Sequence, residues 1–332
     1  MKILIYGTGS YIGNHYRDAL MVRGHDVKCV DAIKNKPVDV NFSGVDSVID
    51  VAGIAHVKIT PDMEDLFYRV NTNLAIDLCR EAKANGVKQF IYMSSMNVFG
   101  DTQKRIYSCS QENPKNFYGK SKLLADKGIQ AMATPDFKVV SVRPPVVYGK
   151  GCKGNFALLI KLSKFFPIFP YFSNTKSVIF IDNLCNFICE IIENQSSGIF
   201  HPQNARHTSI VEIIRNVRMA KGKKTLVIHG FDWIIRVLMK LSHKVERAFA
   251  NDYYDLEVDS YRDICQRTGE DITYSDCSGC DNCDIKCRYK KQIKVDVSFW
   301  NGGDCQYNFV LGRDSVRYKG IQYIESRKQL ID

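Results

Sequence analysis

The chain has 332 residues, 45% of them hydrophobic and 25% charged, which is enough apolar content for a full core and excludes a disordered or fibrous chain. Its formal charge of +10 suits an anionic ligand, but the basic residues are spread without any run of five, so a solvated basic surface is expected rather than a nucleic-acid partner. No window offers the roughly eighteen apolar residues of a membrane span. The opening Met1-Lys2-Ile3-Leu4-Ile5-Tyr6-Gly7 is too short an apolar run for a signal peptide, so a cytoplasmic protein is expected.

Lys2 to Tyr6 is a short apolar run ending in glycines, and Tyr11 to Val22 then carries apolar residues at helical spacing up to Gly24. Val27 to Val30 and Val45 to Val51 read as strands, Asp65 to Asn85 as a long helix closing at Gly86. Gln89 to Met93 is the next strand, Tyr118 to Ala133 a helix, and Lys138 to Arg143 another strand. Strands alternating with helices imply a parallel sheet covered on both faces, a doubly wound α/β architecture of Rossmann type.

The rhythm changes beyond residue 150, where Gly151 to Asn155 is a loop and Phe165 to Phe172 is rich in aromatics and proline. Ser209 to Met219 is an amphipathic helix with a Ser-x-x-Glu capping box at Ser209 and Glu212. The expected division is a nucleotide-binding domain over 1–150, with a strand and helix returning to it from about 176–195. A smaller substrate lobe over 151–254 and a Cys-rich extension over 255–332 complete it.

Gly7-x-Gly9-x-x-Gly13 follows the first strand and opens the first helix, the context that a dinucleotide loop requires. Gly7 permits the tight turn, Gly9 lets the backbone approach a pyrophosphate, Gly13 lets helix and strand pack, and the helix N-terminus presents free N–H groups. Asp31 comes eighteen residues after Gly13, where a carboxylate accepts ribose hydroxyls and repels a 2′-phosphate, so NAD(H) is expected over NADP(H). Tyr118 and Lys122 are four residues apart at a helix start and share a face. A phenol, with an ordinary pKa of ~10, is a poor base until a nearby ammonium favours its phenolate. Ser94 and Ser95 end the strand begun at Gln89, on the carboxyl edge where such sheets bind ligands.

These residues resemble the extended short-chain dehydrogenase/reductase family, specifically its nucleotide-sugar epimerases, dehydratases and reductases, over about residues 1–250. Tyr92-Met93-Ser94-Ser95-Met96-Asn97-Val98-Phe99-Gly100 is similar to the family's serine segment, which implies Ser95, Tyr118 and Lys122 as the catalytic set. The cofactor positions implied are Tyr11, Ile12, Ala52, Gly53, Asn71, Ser94 and Pro145, the last within the Val142 to Gly149 strand and turn.

Lys150 to Phe156 and Lys176 to Leu184 resemble two substrate segments, with Asn155 and Lys176 as implied diphosphate contacts. Together they look most like surface-polysaccharide enzymes acting on UDP-N-acetylated sugars, 4-keto reductases included. Lys176 stands where many relatives carry arginine, and Asp50 where a histidine is often seen. The stretch between second and third strands is short, and Asp39 is the candidate there for the adenine pocket. The resemblance also implies a homodimer.

Of twelve cysteines, Cys29, Cys79, Cys109, Cys152, Cys185 and Cys189 are scattered and read as small hydrophobes. Cys277-x-x-Cys280-x-x-Cys283-x-x-x-Cys287 has the spacing of a ferredoxin-type iron–sulfur run without its proline, and Cys265 or Cys305 would complete a single site. Zinc is the other candidate ligand, and a metal-free tail the third reading. The expected activity is NAD-dependent hydride transfer at C4 of a UDP-linked hexose, by an epimerase or a 4-keto reductase. The alternative is a non-catalytic NAD(H)-binding redox sensor signalling through the Cys277–Cys287 cluster.

Overall fold

The side chains of β1 (Lys2–Tyr6) alternate between two cores, Ile3 and Ile5 on one face of the sheet and Leu4 and Tyr6 on the other. The same alternation recurs along β3 (Ser47–Asp50), β4 (Gln89–Met93) and β6 (Lys138–Val142), so both faces of the sheet are covered. The computed structural model describes residues 1–258, except 56, 58, 101–103, 150, 153, 155, 157, 158, 161, 162, 164, 166 and 221, together with the strands at 292–296 and 306–310.

With β2 (Asp26–Val30) and β10 (Gly198–Phe200), these strands form a six-stranded parallel sheet in the order β10-β6-β4-β3-β1-β2. The chain runs outward from β1 to β2 and returns at β3 on β1's other side. That reversal opens a crevice at the carboxyl ends of β1 and β3. Between β2 and β3 the chain makes a 3₁₀ turn at Pro37–Asp39, which includes Asp39, and among the described residues no strand lies outside β2 in this sheet.

One face is packed by α1 (Tyr11–Val22), through Tyr16 and Leu20, and by α5 (Ile181–Glu193), through Leu184, Phe187, Ile188 and Ile191. The opposite face is packed by α3 (Leu74–Ala84), through Leu78, Cys79 and Ala82, and by α4 (Phe117–Gln130), through Ala125 and Ile129. α5 buries ten of its thirteen residues, and truncating a side chain such as Phe187 to alanine costs about 3–5 kcal/mol.

Two expected elements differ in form. The long helix after Asp65 is α2 (Glu64–Phe67), a π-helical turn at Tyr68–Asn73, and then α3. A π turn inserts a residue into the helical ladder, and it is here that Asn71 and Thr72 bond towards α4. α4 ends at Gln130 rather than Ala133, because Met132 and Ala133 bond to Ile129 and Gln130 in tighter turns leading to the Thr134–Phe137 bridge.

Short parallel pairs build the remainder: β5 (Arg105–Ile106) with β12 (Tyr253–Tyr254), β7 (Val146–Tyr148) with β9 (Val178–Phe180), and β8 (Ile168–Pro170) with β11 (Leu226–Ile228). α6 (Ile210–Ala220) starts at Ser209, whose hydroxyl accepts from Glu212 N–H at 3.1 Å, while the Glu212 carboxylate accepts from Thr208. α7 (Asp232–Leu241) and α8 (His243–Phe249) follow. The strands β13 (Gln292–Asp296) and β14 (Gln306–Val310) pair antiparallel.

Candidate active site

The glycine loop sits at the crevice. Gly7 has φ +118° and a Cβ there would fall 2.9 Å from Ala52 N, so β1 and the segment after β3 come together only around a bare backbone. Gly9, at φ +77°, has no heavy atom within 4 Å of where its Cβ would stand, leaving an open approach at the start of α1. Ser10 caps that helix by accepting from Gly13 N–H at 3.3 Å, and Gly13 packs close to Val51. Tyr11 lies in the first turn against Gly149 and Gly151, while Ile12 packs into the core beneath. Asp31 directly follows β2 and accepts from Ile33 N–H at 2.9 Å.

β4 and α4 deliver the reactive groups. Asn116 caps α4 by accepting from Gly119 N–H at 2.8 Å, which puts Tyr118 in the first turn and Lys122 one turn on. A Cβ at Gly119 would lie 2.7 Å from the Asn97 carbonyl, so glycine allows α4 to rest directly on the turn that follows Ser95. That packing brings the Ser95 hydroxyl up to the Tyr118 phenol, near enough to bear on its titration. The Ser95 hydroxyl also accepts from Asn97 N–H and Nδ2, each at 3.2 Å. Pro145 is buried nearby, next to Pro144, whose carbonyl accepts from Met96 N–H at 3.0 Å.

Lys122 is buried and donates from Nζ to the Met93 carbonyl at 2.8 Å, with its ammonium 4.6 Å from the Tyr92 ring centre. Gly53 leaves it room, since a Cβ there would stand 3.0 Å from Asn71 Oδ1 and 3.3 Å from Lys122 Nζ. Asn71 accepts from Ile54 N–H at 2.7 Å and donates to Ser121 Oγ at 3.2 Å, tying the π turn to α4.

Burial sets the electrostatics. It lowers Lys122 to about 8 against the pull of Asp50 and Asp126, and it raises Asp50 to about 6 against the pull of Lys122 and the Ala52 N–H. Tyr118 is raised above its ordinary value by burial, opposed by the hydrogen bond from Ser95. A buried phenol beside a hydroxyl, with a buried cation one turn along, can exchange a proton with a ligand oxygen at this edge.

A second buried network was not foreseen from the sequence. Ser94 donates to Asp126 at 3.0 Å, Arg143 Nε donates to the same carboxylate at 2.8 Å, and Arg143 also pairs with Glu112 at 2.5 Å. Asp126 lies four residues beyond Lys122 on the same helical face, a spacing that could have revealed it. The Ser94 hydroxyl is therefore engaged within the fold.

Lys176 is held by later segments of the chain: its backbone bridges Thr208 and Asp252, and Nζ donates to the Arg247 carbonyl at 3.0 Å. Asn155 and the run Cys277, Cys280, Cys283 and Cys287 lie outside the described residues, as do Cys265 and Cys305. Among the described residues no group of three or more His, Cys, Asp or Glu is placed to hold a metal ion, and no helix is long and apolar enough to cross a membrane.

A parallel sheet with a glycine loop at its crevice and a Tyr, Lys and Ser cluster at its edge is the build of a dinucleotide-dependent enzyme. The NAD dependent epimerase/dehydratase family matches residues 3–199, and the chain belongs to that family of enzymes. It is 30% identical over 274 residues to a UDP-glucose 4-epimerase of Vibrio cholerae, covering 73% of this chain and 83% of the relative. It is 25% identical over 207 residues to an N-acetyl-alpha-D-glucosaminyl-diphospho-ditrans,octacis-undecaprenol 4-epimerase of Escherichia coli O157:H7, covering 60% of this chain and 62% of the relative. In fold it matches a UDP-glucuronic acid 4-epimerase from Bacillus cereus in complex with NAD, with a TM-score of 0.58 and 19% identity over 69% of this chain and 85% of that one.

Proposed function

We propose that this chain is an NAD-dependent epimerase or 4-keto reductase that acts at C4 of a UDP-linked, N-acetylated hexose, in a homodimer. The carrying observation is the convergence of Ser95, Tyr118 and Lys122 at the carboxyl edge of β4, beside the crevice of the glycine loop. The 4-epimerase relatives support C4 as the reacting position.

The open approach at Gly9 fits an extended dinucleotide, with its phosphates at the α1 N-terminus and Asp31 on the adenosine ribose. When bound, the nicotinamide supplies the acceptor and donor of hydride. Tyr118 removes or returns the proton of the C4 hydroxyl, and Ser95 holds the same oxygen. The Lys122 ammonium favours the Tyr118 phenolate and hydrogen-bonds the nicotinamide ribose. Asn155 and Lys176 are the proposed diphosphate contacts, Lys176 offering a point charge where arginine would bind in bidentate fashion.

The test incubates the full chain with UDP-N-acetylglucosamine and UDP-N-acetylgalactosamine in turn and follows interconversion. In parallel, NADH oxidation is followed with a UDP-4-keto sugar. Tyr118→Phe should lower turnover by about 10²–10⁴-fold while leaving NAD(H) binding within about twofold. Absence of both reactions in a wild-type chain that binds NAD(H) would overturn the proposal.

A further inference from the structure

α7 presents its apolar residues outward. Trp233, Ile234, Val237, Leu238 and Leu241 are 58%, 37%, 46%, 45% and 78% exposed, whereas Ile235 is buried at 4% and Met239 packs against the core. At 100° per residue the five exposed side chains cover a continuous arc of about 140°. Ile235 and Met239 lie on the opposite side and fasten the helix to the lobe.

Arg236 and Lys240 fall between these two faces, along one flank of the outward arc. Arg236 is 66% exposed at its side chain and pairs with Asp232 at 2.9 Å. The stretch is basic overall, with Lys223, Lys224, Arg236, Lys240, Lys244 and Arg247 against Asp232 and Glu246. On the same lobe Leu226 of β11 is paired in register with Ile168 of β8, and these two are 62% and 52% exposed. Ordinary surface helices show the reverse arrangement, with polar residues outward.

We propose that α7 is an interfacial anchor that lays its Trp233–Leu241 face onto a bilayer containing anionic lipid. The apolar arc would sink to the level of the acyl boundary while Arg236 and Lys240 reach the headgroups. The charge pattern favours this occupant over a second copy of the chain. An antiparallel two-fold contact through the same face would set the basic flanks of Arg236 and Lys240 on one side of the seam, like charge near like. An anionic surface satisfies both features of the helix at once. The inference concerns where the enzyme works and does not depend on the sugar it takes.

The chain has two tryptophans, Trp233 and Trp300, so Trp300→Phe leaves Trp233 as the single reporter. The full chain is mixed with phosphatidylcholine vesicles, with or without a quarter of phosphatidylglycerol, and vesicle-bound protein is measured by sedimentation alongside Trp233 emission. Binding to the anionic vesicles with a blue shift is expected. The bound fraction should fall on raising salt from about 0.05 M to about 0.5 M.

Leu238→Glu with Leu241→Glu should weaken partitioning by about tenfold or more, and Arg236→Gln with Lys240→Gln by about fivefold per cation. NAD(H) binding should be unchanged in both pairs. Four results would each overturn the proposal. One is the absence of a vesicle-bound fraction at low salt. Another is equal binding by the double-glutamate variant. The third is a Trp233 already shielded from acrylamide without vesicles. The fourth is an oligomer that the same substitutions dissociate.

Discussion

Lys122 lies one helical turn beyond Tyr118, yet its Nζ donates at 2.8 Å to the carbonyl of Met93, at the end of β4. The lysine is thereby held against the carboxyl end of β4, with Asp50 of β3 also bearing on its charge. Lys122→Met removes this hydrogen bond and leaves Asp50 buried without its cation. Turnover should fall by about 10²-fold or more, and unfolding free energy by about 3–5 kcal/mol. Asp50→Asn in the same chain should restore part of the stability but none of the turnover. Urea melts of the two single variants and the double variant measure the coupling.

The two buried charges give opposite pH signatures. Asp50, raised to about 6, binds its proton more tightly in the folded chain, so its contribution to stability is present below about 4 and lost as pH rises through about 6. Asp50→Asn should abolish that decline between pH 4 and 6 in denaturation curves. Lys122, lowered to about 8, holds its proton less tightly when folded, so its contribution rises between about 8 and its ordinary 10.5. Turnover should move the other way. It should decline above about pH 8, as the cation proposed to favour the Tyr118 phenolate is lost, and a flat alkaline profile would contradict that role.

The glycines at the loop should separate stability from cofactor binding. A Cβ at Gly7 would meet the Ala52 backbone at 2.9 Å, so Gly7→Ala should lower the melting temperature markedly. Gly9→Ala meets no atom and suffers mainly its left-handed φ, a cost of about 1–2 kcal/mol. Its NAD(H) affinity should nevertheless fall by tenfold or more, because the methyl group would stand in the open approach proposed for the pyrophosphate. Calorimetry for folding and fluorescence titration for NADH distinguish the two variants.

Arg143 bridges Asp126 and Glu112 beneath the Ser94 end of β4. Arg143→Met should cost about 3–5 kcal/mol by leaving the Asp126 carboxylate buried and uncompensated. Asp126→Asn alone leaves the Arg143–Glu112 pair intact and should cost less. Equal losses in equilibrium unfolding would show that the two carboxylates do not share the arginine as the geometry implies.

Much of the framework was legible because its causes are local. Runs such as Ile3-Leu4-Ile5 and Val139-Val140 mark strands buried on both faces, and Gly7 and Gly9 mark a turn whose backbone few other residues adopt. Tyr118 and Lys122 could be set on one face from the helical period alone. The period gave no hint of the π turn at Tyr68–Asn73, since what it buries is polar, Asn71 and Thr72 bonded to α4, and an apolar pattern does not register such residues.

The sequence by itself determined the alternation of strand and helix, the glycine turn and the Tyr118–Lys122 face, each fixed by residues within a turn or two of one another. Only the tertiary structure decided that Ser95 meets Tyr118 over the bare backbone of Gly119, that Arg143 is shared by Asp126 and Glu112, and that α7 turns its apolar face outward. Those outcomes depend on which distant surfaces pack together. Burial assigns the charges their partners and selects the inner side of an amphipathic helix, and neither choice is encoded in local periodicity.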